Sequence, residues 1–150
     1  MHAFRFSISL RIFGKSIDPL EISDRFDLQP KWSHKIGEAR KTPKGRALDG
    51  FYESSYCSFQ LSIKKNERLH DAINDAIDFF IPHKDLFHRI RNDGGRAEFF
   101  IGWYSENNTG EIFDFTLLGR LHELQIDLAL DVYGAEKQHT CSSSTTPQTT

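Results

Sequence analysis

The stretch Gln125-Ile126-Asp127-Leu128-Ala129-Leu130-Asp131-Val132-Tyr133 decides the fold that the sequence predicts. Apolar and polar residues alternate through it, and side chains alternate between the two faces of a β-strand. One predicted face is apolar and carries Ile126, Leu128, Leu130 and Val132. The other face carries two aspartates, which argues against a strand that is buried on both sides. We interpret the remaining elements as strands that pair with this closing strand or helices that cover its apolar face.

Three earlier stretches show the same alternation and are predicted to be strands with one apolar face each. They run over residues 4–13, 56–63 and 97–104. In the first of them, Arg5 and Arg11 lie on the polar side. The polar side of the third carries Phe100 and Tyr104. With the closing strand, the sequence therefore predicts at least four strands.

Helices are predicted between these strands. Asp18 as N-cap, followed by Pro19 and Glu21, predicts a short helix that ends before Pro30. Asn66 is expected to cap the longest helix, at about residues 67–81, whose apolar residues repeat at helical spacing. Shorter helices are expected at about residues 84–91 and from Asp114 or Thr116 onward.

Residues 31–50 form the one strongly basic stretch, with six Lys or Arg residues against a single Glu. Its glycines and Pro43 predict a loop, with a short edge strand around residues 32–36. Such a loop can bind phosphate or nucleic acid, but basic loops are more often simply solvated. The net charge of -2 gives no overall attraction for nucleic acid, so nucleic-acid binding is the less favoured interpretation.

One-sided strands alternating with one-sided helices predict an α+β fold. We expect a two-layer sandwich in which helices cover one face of a mixed sheet of about four to five strands. Strand–helix–strand order near both ends is compatible with a ferredoxin-like arrangement. Residues 1–134 are predicted to form a single domain. The Ser/Thr-rich residues 135–150 are predicted to be a disordered tail.

The composition favours a cytoplasmic protein. The two cysteines are Cys57, on a predicted strand, and Cys141, in the predicted tail, so a structural disulfide is not expected. The beginning of the sequence shows no signal-peptide pattern. Apolar runs stay well below the roughly 20 residues that cross a bilayer, so no membrane partner is predicted.

Several of these features resemble a bacterial domain of unknown function, the DUF4279 family. They are the alternating opening strand, the Asp18-Pro19-x-x-Ile22 helix start, Gly37 in the next loop, the Leu-rich helix at 115–123 and the closing strand. The resemblance covers about residues 3–134. It implies no agreed activity and no catalytic residue, so no functional residue is carried over from it.

The sequence offers no recognisable catalytic or metal-binding motif, so no catalytic residue, cofactor or metal is predicted. Asp127 and Asp131 lie about 13 Å apart along a strand, which is too far for a glycosidase pair. If the first and last strands are neighbours, Arg5 and Arg11 are the expected ionic partners of these aspartates. An enzyme acting on a small molecule remains an alternative without an assigned residue.

Two surfaces are candidates for binding another protein. The first, the acidic rib, consists of Glu67, Asp71, Asp75 and Asp78 on one face of the long helix, and suits a basic partner. The second is the uncovered sheet face, where exposed aromatic residues suit a docking surface. Its candidate residues are Arg5, Arg11, Phe100, Tyr104, Asp127 and Asp131. For either surface, the simpler interpretation is a solvated face.

The hypothesis is therefore a non-catalytic cytoplasmic interaction domain, with an immunity-like role that blocks a toxin as one form of it. A small-molecule enzyme and, less favoured, a nucleic-acid binder are the alternatives. The oligomeric state is not predicted.

Overall fold

The computed structural model describes residues 3–134 and contains seven strands and four α-helices in that range. A single 3-10 turn, Ile81–His83, joins α2 to α3. The elements follow along the chain as β1 (Arg5–Gly14), α1 (Pro19–Phe26), β2 (Trp32–His34), β3 (Ala39–Lys41), β4 (Ala47–Phe51), β5 (Ser55–Gln60), α2 (Leu69–Phe80), α3 (Lys84–Asn92), β6 (Arg96–Tyr104), α4 (Phe115–Leu124) and β7 (Ile126–Tyr133).

The main sheet has five strands in the order β2-β5-β1-β6-β7. β1 pairs antiparallel with both β5 and β6, whereas β7 pairs parallel with β6. In the sheet, β5 lies between β1 and β2, the two strands that α1 connects. Likewise, β1 lies between β5 and β6, the two strands that α2 and α3 connect. Two interlocked split βαβ units of this kind define the ferredoxin-like arrangement. The α4–β7 unit adds a fifth strand, and the predicted α+β fold with a mixed sheet is confirmed.

The strand around which the sheet is built is β1 and not the closing strand. Ile8, Leu10 and Ile12 of β1 are at most 1% exposed. β7 is an edge strand, where Leu130 is 46% and Val132 is 64% exposed. The central role that we assigned to the closing strand is therefore wrong. Alternation shows which side chains share a face, but it carries no information about how many neighbours a strand has.

The core lies between the sheet and the helices. α1 contributes Ile22 and Phe26, and Phe26 contacts Phe59 of β5 and Phe80 of α2 at centroid distances of 5.6 and 4.9 Å. Burying each such ring stabilises the fold by about 1.5–3 kcal/mol. Because all four helices bury one side against the same core, the other face of the sheet is left open.

One of the two predicted helix caps is confirmed, and a further carboxylate caps α4. The Asp18 carboxylate accepts a hydrogen bond from the Leu20 N–H at 3.1 Å, and Asp114 accepts one from Leu117 at 2.9 Å. The predicted cap at Asn66 is wrong. Asn66 has a φ of 62°, and α2 begins at Leu69 after Arg68, which makes no side-chain cap.

The basic stretch is more ordered than the predicted loop. β2 lies inside the predicted edge strand, but β3 and β4 then form a separate two-stranded hairpin whose strand residues are all exposed. Gly45, with a φ of 87°, allows the tight turn between them. The Tyr52 hydroxyl donates to the Lys41 carbonyl at 3.1 Å, which ties the hairpin to the chain that leads into β5.

Candidate functional site

The open face consists of the side chains that point away from the helices. The register places Arg11 opposite Ser58 on β5 and opposite Glu98 on β6, and Glu98 in turn lies opposite Asp127 on β7. It also places Tyr104 between Arg5 and Tyr133. The six residues predicted for the uncovered sheet face therefore share one surface. Their role in binding stays a prediction.

An arginine–aromatic cluster occupies the middle of the open face. The Arg11 guanidinium lies 4.3 Å from the Phe100 ring centroid and 5.3 Å from that of Phe13. The Tyr56 ring lies 5.9 Å from the same guanidinium, and Arg96 lies 4.0 Å from Phe13. Contacts of this kind contribute about 0.5–1 kcal/mol each at exposed sites. They hold the rings in place on the sheet surface.

Glu98 contacts both arginines of this cluster. Its side chain is largely buried, with the residue 8% exposed, yet two guanidinium groups reach its carboxylate. The Arg11 Nε lies 3.3 Å from one oxygen, and the Arg96 Nη1 donates to the other at 3.0 Å. A buried carboxylate is tolerated because both oxygens face a cation. Strand alternation puts Glu98 on the same face as Phe100 and Tyr104, but no role could be predicted for it, because Arg11 becomes its neighbour only once the strand order is known.

A tyrosine pair marks the far end of the open face. The Tyr104 and Tyr133 rings stack with centroids 5.0 Å apart and planes 9° apart. The Tyr133 hydroxyl donates a hydrogen bond to Asp131, and this bond raises the pKa of Tyr133. Both rings and Arg5 line a cleft of about 430 Å³. This end of the face is therefore concave and aromatic.

Gly102 permits the position of the Tyr104 ring. A Cβ at residue 102 would lie 2.6 Å from the Ser7 Oγ and 3.0 Å from the Tyr104 hydroxyl oxygen. Any other residue would therefore push the ring away from the sheet. The glycine explains how a tyrosine that is 39% exposed can still lie close to the strand surface.

The opposite corner of the face meets the basic hairpin. The His34 ring stacks on Tyr52 at 3.5 Å, with planes 5° apart, and lies 5.6 Å from Tyr56. Burial lowers the pKa of His34, so the ring is mainly neutral near pH 7. Neither His34 nor Tyr56 was predicted for the site. His34 falls in residues 31–50, which were predicted to be a loop, and Tyr56 lies at the start of a predicted strand whose neighbours were not known.

The expected ion pairs between Arg5 or Arg11 and the two aspartates do not form. β6 separates β1 from β7, so the condition for that pairing is not met. Asp127 instead lies 3.4 Å from the Arg91 guanidinium, and Asp131 accepts the hydroxyl of Tyr133.

The acidic rib is only partly as predicted. Asp71, Asp75 and Asp78 lie exposed on α2, but Glu67 precedes the helix and accepts the Lys64 N–H at 2.9 Å. The placement of Glu67 on the helix is therefore wrong, because the helix starts at Leu69.

Cations already engage part of the rib. Lys64 lies 3.2 Å from the Asp75 carboxylate, and Arg120 of α4 binds Asp78. A hydrogen bond to Asp75 raises the pKa of Glu67. Asp71 is the rib carboxylate that contacts neither a Lys nor an Arg within residues 3–134, and its neighbour there is His70. The rib is thus a weaker negative surface than four free carboxylates.

Cys57 is fully buried, as the strand pattern predicts, and burial raises the pKa of its thiol to about 12. Its thiolate is therefore scarce at neutral pH. No group of three or more His, Cys, Asp or Glu side chains in the described part of the chain is arranged to hold a metal ion. Among the described helices, none has the length and apolar character to cross a membrane.

The fold and its surface define a class: an α+β sandwich of ferredoxin-like strand order with an extra edge strand and an open aromatic face. The sequence matches the profile of the family described as Domain of unknown function (DUF4279) over residues 2–135. The chain therefore belongs to the DUF4279 family, and the resemblance seen in the sequence is confirmed. No curated protein and no solved structure matches the chain.

Proposed function

We propose that the chain is a non-catalytic interaction domain that docks a partner protein through its open face. The observation that carries this proposal is the set of aromatic rings that stand on the uncovered side of the sheet, already held by Arg11, Arg96 and Glu98. Tyr, Phe, Trp and Arg are the residues that protein interfaces favour. Rings that are fixed before binding lose little conformational entropy when a partner docks.

We further propose a cytoplasmic location and an immunity-like role, in which the domain blocks a basic site on a toxin. The carboxylates of Asp71 and Asp75 are exposed and would steer a basic partner toward the domain. The open face would then supply the close contact. The thiol of Cys57, which is free and buried, is compatible with a reducing compartment.

Site-specific photo-cross-linking in the native cell tests the docking surface. A photoreactive phenylalanine analogue is placed at Tyr133 or, as a matched control, at Phe79 on α2. The two residues are 48% and 49% exposed, so both probes are equally accessible. We expect a discrete adduct with a protein other than the chain itself from position 133, and none from position 79. The same adducts from both positions, or none from position 133, would contradict the proposal.

Charge reversal tests the contribution of the rib. Asp71→Lys is the cleanest variant, because Asp75→Lys and Asp78→Lys would also remove ion pairs with Lys64 and Arg120. For the partner identified by cross-linking, we expect slower association that becomes less pronounced at high salt. An unchanged association rate at low salt would show that the acidic rib does not contribute to binding, which would leave the open face as the proposed docking surface.

Nucleic-acid binding is the second candidate, and one observation favours it. The exposed basic hairpin meets the aromatic corner formed by His34 and Tyr52. Ferredoxin-like sheets of RNA-binding domains stack bases on aromatic side chains. The three carboxylates on the open face, those of Glu98, Asp127 and Asp131, would repel phosphates, so docking of a protein is the stronger candidate.

A small-molecule enzyme is the remaining alternative. The cleft beside Tyr104 and Tyr133 is the place on the open face where a small ligand would fit. Its lining supplies hydroxyl groups and Arg5 for binding. We assign no reaction to it.

A further inference from the structure

The free edge of β7 presents backbone groups that point away from the sheet. The Ser105 N–H donates to the Tyr133 carbonyl at 3.0 Å, so the backbone of Tyr133 points toward β6. In a parallel ladder every second residue points the same way, which leaves the N–H and C=O groups of Leu128, Leu130 and Val132 directed outward. Within residues 3–134, no strand pairs with this edge.

This edge carries two charged residues, Asp127 and Asp131, but otherwise lacks the usual protection of an edge strand. β7 has eight residues and pairs with β6 in one continuous register. It contains no Pro and no Lys, the residues with which proteins commonly block edge pairing. Its apolar side is also incompletely covered, because Leu130 and Val132 are 46% and 64% exposed.

The neighbouring flank of α4 is apolar as well. Phe115 and Leu118 are 87% and 48% exposed. Arg120 contacts α2 and Glu123 contacts α3 through ion pairs, which identifies the inner flank of α4. At 100° per residue, Leu118 lies about 200° from Arg120. Leu118 therefore belongs to the outer flank, which faces away from α2 and α3.

We propose that two copies of the chain pair through β7, antiparallel, about a two-fold axis at Leu130. Leu130 would lie opposite itself and Leu128 opposite Val132, with their outward N–H and C=O groups forming the ladder. On the open-face side, Asp127 would lie opposite Tyr133 and Ala129 opposite Asp131. The two sheets would join into one continuous sheet with helices on the same side.

The charges on β7 select this register. If the second copy of β7 is shifted by two residues along the first, Asp131 comes to lie opposite Asp131. If it is shifted by two residues the other way, Asp127 comes to lie opposite Asp131. Like charges directly opposite each other destabilise a strand pair. A slide of one residue would set apolar side chains against the open-face side of the partner strand. The strand is thus complementary to a second copy of itself.

Sedimentation of the full chain tests the dimer. We expect a mass twice that of the 17.3 kDa chain at tens of micromolar protein. Leu130→Lys, which sets two ammonium groups face to face at the axis, should weaken the dimer at least tenfold. The matched control is Leu48→Lys on the hairpin, where the leucine is 43% exposed, and it should leave the dimer unchanged.

Cysteine cross-linking tests the register. In a Cys141→Ser background, Leu130→Cys should form a disulfide-linked dimer under mild oxidation. Cα atoms of a hydrogen-bonded antiparallel pair lie about 5.5 Å apart, which a disulfide spans. Leu128→Cys is the control, because its copy on the partner strand would lie about 13 Å away along the ladder.

Three results would overturn the proposal. They are a full chain that stays monomeric at these concentrations, a dimer that Leu130→Lys leaves intact, and equal cross-linking by the two cysteine variants. Slow amide exchange at Leu128 and Leu130 in a monomer would also overturn it, by showing that another part of the same chain covers the edge.

Discussion

Truncating the same side chain on two strands would test whether β1 or β7 supports the fold. Leu10→Ala and Leu130→Ala remove identical atoms, but Leu10 is 0% and Leu130 is 46% exposed. Leu10 lies between Phe59 on β5 and Phe99 on β6, both fully buried. Because large rings surround the site on both sides, we expect little collapse into the cavity that the substitution leaves.

Core Leu→Ala substitutions lower the free energy of unfolding by about 2–5 kcal/mol. Because the side chains around Leu10 can relax only little into the cavity, we expect a loss of about 3–4 kcal/mol for Leu10→Ala. Leu130→Ala removes only about half as much buried apolar surface and leaves a solvent-exposed depression instead of a cavity. We therefore expect the free energy of unfolding to fall by about 1 kcal/mol. For a domain of this size, each kcal/mol lowers the melting temperature by about 2–4 °C. The expected losses are therefore about 6–16 °C for Leu10→Ala and at most about 4 °C for Leu130→Ala.

Thermal and urea unfolding, monitored by circular dichroism, would measure both variants. The protein is kept below a micromolar concentration so that self-association does not contribute to stability. Equal losses for the two variants, or a larger loss for Leu130→Ala, would refute the assignment of β1 as the central strand. Unchanged urea m-values would show that both variants unfold from the same compact state.

Three further predictions follow from the site. Gly102→Ala should cost about 1 kcal/mol and displace the Tyr104 ring, seen as a changed near-ultraviolet circular dichroism spectrum, since the new Cβ meets side chains that can rotate. The free energy of unfolding should decrease as the pH falls below about 6.5. Burial lowers the pKa of His34 and His83 from the usual 6.5, so below that pH the unfolded chain binds more protons than the folded chain. A His34→Phe variant should show a flatter melting-temperature profile between pH 8 and 5, whereas replacing the exposed His122 should not. Single-stranded RNA should not bind measurably at physiological salt in a filter assay. If RNA binds tightly and Ala substitutions in the hairpin abolish that binding, nucleic-acid binding would become a stronger candidate than protein docking. Those substitutions are Arg40→Ala, Lys41→Ala, Lys44→Ala and Arg46→Ala.

Side-chain alternation was enough to predict the two faces of the sheet. It placed Arg11 and Phe100 on the open face and Leu10 and Phe99 in the core, because the period of a strand is two whatever its neighbours are. It could not show that β6 separates β1 from β7, since strand order depends on long-range pairing. The predicted partners of Asp127 and Asp131 failed for this reason.

The helix boundaries show the same limit at a local scale. Asp18 was a predictable cap and Asp114 was one of two predicted helix starts, because a carboxylate next to a helix start can satisfy free N–H groups directly. Asn66 has the right chemistry for a cap but adopts a left-handed turn before α2. In that turn Glu67 hydrogen-bonds to the Lys64 backbone, so the residue predicted to begin the acidic rib instead closes a loop.

The two proposed contacts both involve β7 but use different groups of it, since the dimer uses the outward backbone groups and the docking face uses side chains on the open side. Pairing of β7 about an axis perpendicular to the sheet would place both open faces on one side, since residues that share a face remain opposite each other. A dimer would then present two copies of the Arg11 cluster to the same partner, or to two partners. Leu130→Lys should therefore reduce avidity for a bivalent partner while each copy keeps its own affinity. Replacing Tyr104 by alanine should do the reverse, since this substitution removes aromatic contact area on β6 and leaves β7 unchanged. Comparing the two variants in one binding assay would separate failure of the dimer from failure of the docking face.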